Sequence, residues 1–358
     1  MLQDRSMIAY ALWNNKGCVG KSYLSFQLAT EYARTHPETN VLVIDLCPQA
    51  NVSSMLLGGI YDGETRLNEL SEMVPSRTIA GYIDERIRSP YLSPSSGANY
   101  LTHPRTVNPN IPKNLFLVCG DERLEIQGSR VAGATNTGPN DAWSIVHRWV
   151  SDLIADISTS WNHQDIRVFI DCNPSFTIYT ELAMSAADRL IIPFTADGSS
   201  KRAVRAVLAL LYGDRRTTGQ ERSEFVVKSE QYRMTVPLIY CYVGNRLTTI
   251  NRLAAAAFKQ VVNAIREEIY TVWQSNPNRF CIHPENGGIP SNRQTFTRMF
   301  QYEVVDANTA SVVSSALGVP IMMLSARTYN FDGRTVLINQ SQLDRQQPNI
   351  TTLAAMIE

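Results

Sequence analysis

"NNKGCVGKS", residues 14–22, decides how the rest of the chain is read. Its last three residues, Gly20-Lys21-Ser22, close a phosphate-binding loop of the pattern G-x-x-x-x-G-K-[ST]. The strict pattern wants glycine at position 15, where the chain has Asn15, and a second lysine, Lys16, stands inside the loop. The apolar run "MIAYALW" (7–13) ahead of the loop reads as a strand. "SYLSFQLATEYAR" (22–34) behind it reads as a helix, with Leu24, Leu28 and Tyr32 spaced by four. A strand, a glycine turn and a helix bring backbone N–H groups and the positive helix end to one point, which suits a polyphosphate. Lys21 is then placed for the β- and γ-phosphates, and the Ser22 hydroxyl for Mg²⁺.

Outward from the loop, strand-like runs alternate with helix-like segments, the pattern of a parallel sheet flanked by helices. "VLVIDL" (41–46), "LFLVCG" (115–120), "VFIDC" (168–172), "RLIIPF" (189–194) and "LIYCYV" (238–243) suit strands buried on both faces. Helices are expected near 141–157, 177–186, 199–212, 251–270 and 304–316. Two of the strands end in aspartate, Asp45 and Asp171. A carboxylate at the C-terminal end of a parallel strand, beside such a loop, is where a Mg²⁺ shell needs one. Residues 89–112, rich in Pro, Ser and Asn, read as a surface insertion, and 274–297 as a second irregular one. The expectation is an α/β chain forming one domain over 1–358.

The chain has 358 residues, 44% hydrophobic and 18% charged, with no formal net charge. That balance argues neither for a nucleic acid nor for a membrane surface as a partner of the whole chain. The six cysteines form no C-x-x-C pair, which disfavours a zinc site or a disulfide framework and suits a reducing cytoplasm. No apolar stretch of about 18 residues marks a membrane span, and no signal peptide is read at the N-terminus.

With these motifs in order, the chain resembles the ParA/MinD family of deviant Walker A ATPases, within the P-loop NTPases. The family's loop K-G-G-x-G-K-[ST] is matched by Lys16-Gly17-Cys18-Val19-Gly20-Lys21-Ser22. Its switch I, D-x-D-P-Q-x-N, is matched by Asp45-Leu46-Cys47-Pro48-Gln49-Ala50-Asn51, and its Walker B segment by Ile170-Asp171-Cys172-Asn173-Pro174-Ser175. "YVGNR" (242–246) and "GIPSNR" (288–293) resemble later family segments. The resemblance covers roughly 7–60 and 115–325. It implies ATP and Mg²⁺ as ligands, with Lys16 through Ser22, Tyr23 and an adenine-reading Asn245 around the nucleotide, and Ser22, Asp45 and Asp171 about the metal. It also implies that Lys16 reaches the partner's phosphates in a homodimer formed on ATP binding. That accounts for the second lysine in the loop.

Two positions depart from the family pattern. Cys18 stands where the loop has its second glycine. Cys47 replaces the second switch I aspartate, which in the family activates the attacking water. A neutral thiol does not accept a proton as a carboxylate does, so slow ATP hydrolysis is expected, with Lys16, Asp45 and Cys47 as the residues that decide it. From Lys228 to Arg298 nine Lys/Arg stand against four Glu. Arg252, Lys259 and Arg266 recur every seven residues on one helix face, a candidate stripe for non-specific DNA. The tail "QQPNITTLAAMIE" has no basic amphipathic character, so membrane targeting is not expected. The leading expectation is a cytoplasmic ATPase that positions or segregates a cargo through DNA and a ParB-like or other adaptor. The alternative is an ATP-bound scaffold with little turnover that recruits a protein partner.

Overall fold

The computed structural model describes residues 7–214, 221–247, 252–283, 288–331 and 333–358. Eight strands form one sheet: β1 (Met7–Leu12), β2 (Asn40–Leu46), β3 (Leu101–Thr102), β4 (Leu115–Val118), β5 (Ile166–Cys172), β6 (Arg189–Phe194), β7 (Leu238–Leu247) and β8 (Gln301–Val305). Their spatial order is β3-β4-β2-β5-β1-β6-β7-β8. All neighbours are parallel except the two-residue edge strand β3, which pairs antiparallel with β4.

The apolar runs are near-continuous because helices cover both faces of the sheet. Alternate residues of a strand feed two separate cores. Ala9 and Ala11 of β1, with Leu42 and Ile44 of β2, pack under the helices Ile79–Arg88, Trp149–Ser160 and Ile178–Ala186. Ile8, Tyr10 and Leu12, with Val41 and Val43, pack against α1 (Lys21–Thr35) and the helices Thr309–Leu317 and Gln340–Ala354. A strand sandwiched in this way has no solvent face to mark with polar residues.

Register positions the strand-end carboxylates. Asp45 of β2 pairs with Asp171 of β5, and Leu12 of β1 pairs with the same Asp171. Both aspartates therefore lie at the C-terminal edge of the sheet, next to the chain's exit from β1. There the connections from β1 and β5 leave on different paths, the crevice where open α/β sheets bind ligands.

Several elements differ from what the sequence leads one to expect. The helix expected over 304–316 is Thr309–Leu317, because Gln301–Val305 forms β8 on the edge of the sheet. The helix expected over 141–157 is two, Ala142–His147 and Trp149–Ser160, meeting at Arg148. Residues 89–112 contain two 3₁₀ turns and β3. Within them Tyr100 is buried edge-on against Tyr82, with ring centroids 5.5 Å apart. The side-chain amide of Asn108 donates to the carbonyls of Leu56 and Gly318. In the segment 274–297, Pro277–Arg279 is a 3₁₀ turn. Residues 284–287 lie outside the described residues, and Asn292 caps the helix Arg293–Phe300. Among the described residues no helix is long and apolar enough to cross a membrane.

Candidate functional site

The glycine loop runs from the end of β1 to Gly20, which takes a left-handed conformation (φ 76°, ψ 30°) before the first residue of α1. Glycine adopts it without a Cβ clash. Cys18 also sits at positive φ, 59°, a backbone that glycine would hold without strain. Its exposed side chain lines the cavity above the loop. The substitution thus keeps the backbone path of a glycine loop and adds a side chain at its mouth.

Lys21 begins α1 and is only 6% exposed. Its ammonium donates to the carbonyl of Lys16 at 3.0 Å, so the side chain folds back over the loop. Burial pulls its pKa down, and the negative charge of Asp171 opposes that. Lys16 takes another path. Its ammonium forms an ion pair with Asp197 and hydrogen bonds to the hydroxyls of Thr195 (3.2 Å) and Ser200 (3.4 Å). Burial alone would raise the Asp197 pKa. The hydrogen bonds from Lys16, Ser199 and Thr195 instead hold it well below the usual carboxylate range. Within one chain, therefore, the first loop lysine is directed to the segment that follows β6.

Asp45 and Asp171 are both fully buried. Asp45 accepts from the Ser53 hydroxyl (2.7 Å), the Ser53 N–H (3.2 Å) and the Cys47 N–H (3.0 Å). Asp171 accepts from the Ser25 hydroxyl at 3.2 Å through one oxygen, while its Oδ2 has no hydrogen-bond partner among the described residues. Burial raises both pKa values above the ordinary carboxylate range. The charge of Asp171 adds to the effect on Asp45; Ser22, Lys21 and Ser25 oppose it on Asp171. A buried carboxylate oxygen without a partner is costly. A hydrated Mg²⁺ would satisfy it, and Mg²⁺ is commonly held by one or two carboxylates together with phosphate oxygens and water. The residues present therefore fit a magnesium–nucleotide ligand: Ser22, Asp45 and Asp171 for the metal, Lys21 and the loop amides for the phosphates.

The cavity above these groups measures about 400 Å³. Gly17, Cys18, Gly20, Lys21, Ser22 and Tyr23 form its floor. Cys47, Gln49 and Asn51 of the β2 connection form one side, and Cys172 and Pro174 line it as well. Burial pushes the Cys47 thiol up to about 12, with the charges of Asp45 and Asp171 adding to it, so the group is neutral. Ile60 and Glu64 of the helix Gly59–Glu72, with Ser315 of Thr309–Leu317, add to the wall. Their only sequence signal is the i, i+4 spacing of Ile60 and Glu64, which marks one helix face and not a site. Ser53 carries no sequence signal of a role either, although it holds Asp45 and accepts from the Gly120 N–H at 2.8 Å.

Some residues expected at a ligand have other surroundings in the single chain. The Tyr23 hydroxyl donates to Gln346 of the helix Gln340–Ala354. Asn245 is buried and its amide donates to the loop carbonyls of Val19 (2.9 Å) and Gly20 (3.4 Å). Val19 is itself fully buried. Of the basic stripe on the helix Arg252–Ser275, Lys259 is exposed. Arg266 is partly buried beside Glu267 at 3.8 Å. The Arg252 side chain lies outside the described residues. Nearby basic groups are paired: Lys201 and Arg205 with Glu268, and Arg293 with Glu267.

No family model matches the chain, and no curated protein matches it in sequence. Solved structures do. The apo McdA of Cyanothece aligns over 98% of this chain and 99% of its own, at 15% identity and a TM-score of 0.55. An ATP complex of a Cyanothece McdA variant aligns over 99% and 98%, at 14% identity and a TM-score of 0.57. A putative plasmid partition protein from Borrelia burgdorferi, bound to AMPPNP, covers 70% of this chain and 81% of its own, at 18% identity and a TM-score of 0.43. The mostly parallel eight-stranded sheet with its glycine loop has the P-loop NTPase fold, shared with the two McdA structures.

Proposed function

We propose that the chain binds Mg–ATP at this cavity and uses it as a switch for self-association, in a cytoplasmic ParA-like process that positions or segregates a cargo. The observation that carries the nucleotide reading is the buried Oδ2 of Asp171, without a partner among the described residues, beside a lysine that folds back over a left-handed glycine loop. When bound, Mg²⁺ neutralises phosphate charge. Lys21 and the loop N–H groups hold and orient the phosphates, and Ser53 keeps Asp45 fixed at the strand end. Lys16 carries the switch. In a single chain its ammonium is held by Asp197, and the family resemblance directs it to the partner's phosphates.

The test is sedimentation of the full chain with and without Mg–ATP. Addition of nucleotide is expected to double the mass. Lys16→Ala is expected to bind nucleotide within about threefold of the unaltered chain and to remain monomeric. An unchanged mass with saturating Mg–ATP removes the switch reading.

Non-specific DNA, reached through the basic stripe, belongs to the same proposal. Arg252→Glu combined with Arg266→Glu is expected to weaken binding to any DNA sequence while leaving nucleotide affinity intact. The slope of log K against log [salt] should become shallower by about one per lost phosphate contact. Full DNA affinity in the double variant favours the second reading, a long-lived ATP-bound scaffold for a protein adaptor. That reading draws its support from the neutral thiol of Cys47 on the cavity wall.

A further inference from the structure

A second cavity, of about 390 Å³, lies at the far end of α1 from the glycine loop. Thr30, Ala33 and Arg34, from the last turns of the helix, form one wall. The helix has 15 residues, so about 20 Å separates this wall from the phosphate loop. The floor is apolar, made by Pro37, Pro112, Pro320, Met322 and Met323.

The polar groups around this floor are unevenly charged. Its carboxylate, Glu31, is already engaged, accepting two hydrogen bonds from Arg34 at 2.7 and 2.8 Å. The amide of Asn114 is engaged as well, donating to the carbonyls of Ala33, His36 and Thr39 and so fixing the wall. Arg105 directs one guanidinium nitrogen to the carbonyls of Pro109 and Ile111 and keeps further donors. Lys113, exposed like Arg105, adds a further cation to the lining. Among the described residues, three cations therefore border the cavity against one carboxylate. A largely apolar cavity of this size with a few charged groups has the dimensions and lining of a small-molecule site.

We propose that this cavity binds a small amphipathic anion, its apolar body against the prolines and methionines and its carboxylate or sulfonate beside Lys113 and Arg105. The cationic border selects the charge, and the apolar floor selects against small hydrophilic anions such as free phosphate. The site is separate from the nucleotide cavity and does not depend on the nucleotide reading.

The test titrates the full chain with 8-anilinonaphthalene-1-sulfonate, in the presence and absence of Mg–ATP. Saturable fluorescence enhancement is expected in both conditions, displaced by octanoate and not by octylamine, which has the same chain and the opposite charge. Lys113→Glu and Met323→Asp are each expected to weaken the probe by at least about tenfold, and Lys113→Arg to stay within about threefold. Met323 is half exposed, so its variant tests the site if Lys113→Glu melts early. Wild-type affinity in both charge variants, equal displacement by octylamine, or displacement by Mg–ATP would each overturn the assignment.

Discussion

Lys21→Ala is expected to lower affinity for Mg–ATP by more than about a hundredfold while the chain stays folded. Lys21 is 6% exposed and its ammonium is bonded to the Lys16 carbonyl, so its position is set before any ligand arrives. A charge-assisted hydrogen bond in such a setting contributes about 1.5–3 kcal/mol, and Lys21 is placed to make more than one to a polyphosphate. Loss of about 3 kcal/mol is already more than a hundredfold. The folded chain loses little in exchange, because the aliphatic stem covers the floor of an open cavity and not a core. Titration with a fluorescent ATP analogue measures the affinity, and circular dichroism checks the fold. An affinity within about threefold of the unaltered chain would mean that the loop does not hold phosphates.

Cys47→Asp is expected to raise the rate of ATP hydrolysis by about tenfold or more, while Cys47→Ala changes it little. The thiol lines the cavity and is neutral at any physiological pH, so it takes no proton from water. A carboxylate there supplies the missing acceptor. Tenfold needs only about 1.4 kcal/mol off the barrier, a modest demand for a positioned base. The same change has a cost that the structure makes explicit. Asp45 and Asp171 are already buried side by side, and a third carboxylate adds like-charge repulsion that must be relieved by a bound cation or by taking up a proton. Cys47→Asp is therefore expected to melt at a lower temperature than the unaltered chain in EDTA and to recover most of the difference with Mg–ATP. Steady-state phosphate release by the three proteins, alongside their melting curves, checks both halves. If Cys47→Ala is inactive and Cys47→Asp no faster, the thiol itself takes part.

The sequence by itself determined the loop, the six strands from β1 to β7 that carry apolar runs, and the two aspartates at strand ends. These features are legible because each is local. A strand covered on both faces is written as a continuous apolar run, and a glycine-lysine-serine turn between strand and helix needs no distant residue to be read. The short edge strands β3 and β8 are not legible, because an edge strand is half exposed and these two are only two and five residues long. "QYEVV" (301–305) carries a glutamate and too few residues to show alternation.

Only the tertiary structure decided which groups meet. The register of β2 on β5 sets Asp45 against Asp171, 126 positions apart in the chain, and leaves one oxygen of Asp171 without a partner among the described residues. Lys16 meets Asp197 across 181 positions, so a lysine read as reaching outward is held inward in the single chain. Ile60, Glu64 and Ser315 wall the cavity above the glycine loop only because two helices distant in sequence come together there. The cationic cavity at the other end of α1 is assembled the same way, from residues near 34, 113 and 322. A local pattern records which face of an element is apolar. It does not record which other element covers that face, and both cavities are made by that choice.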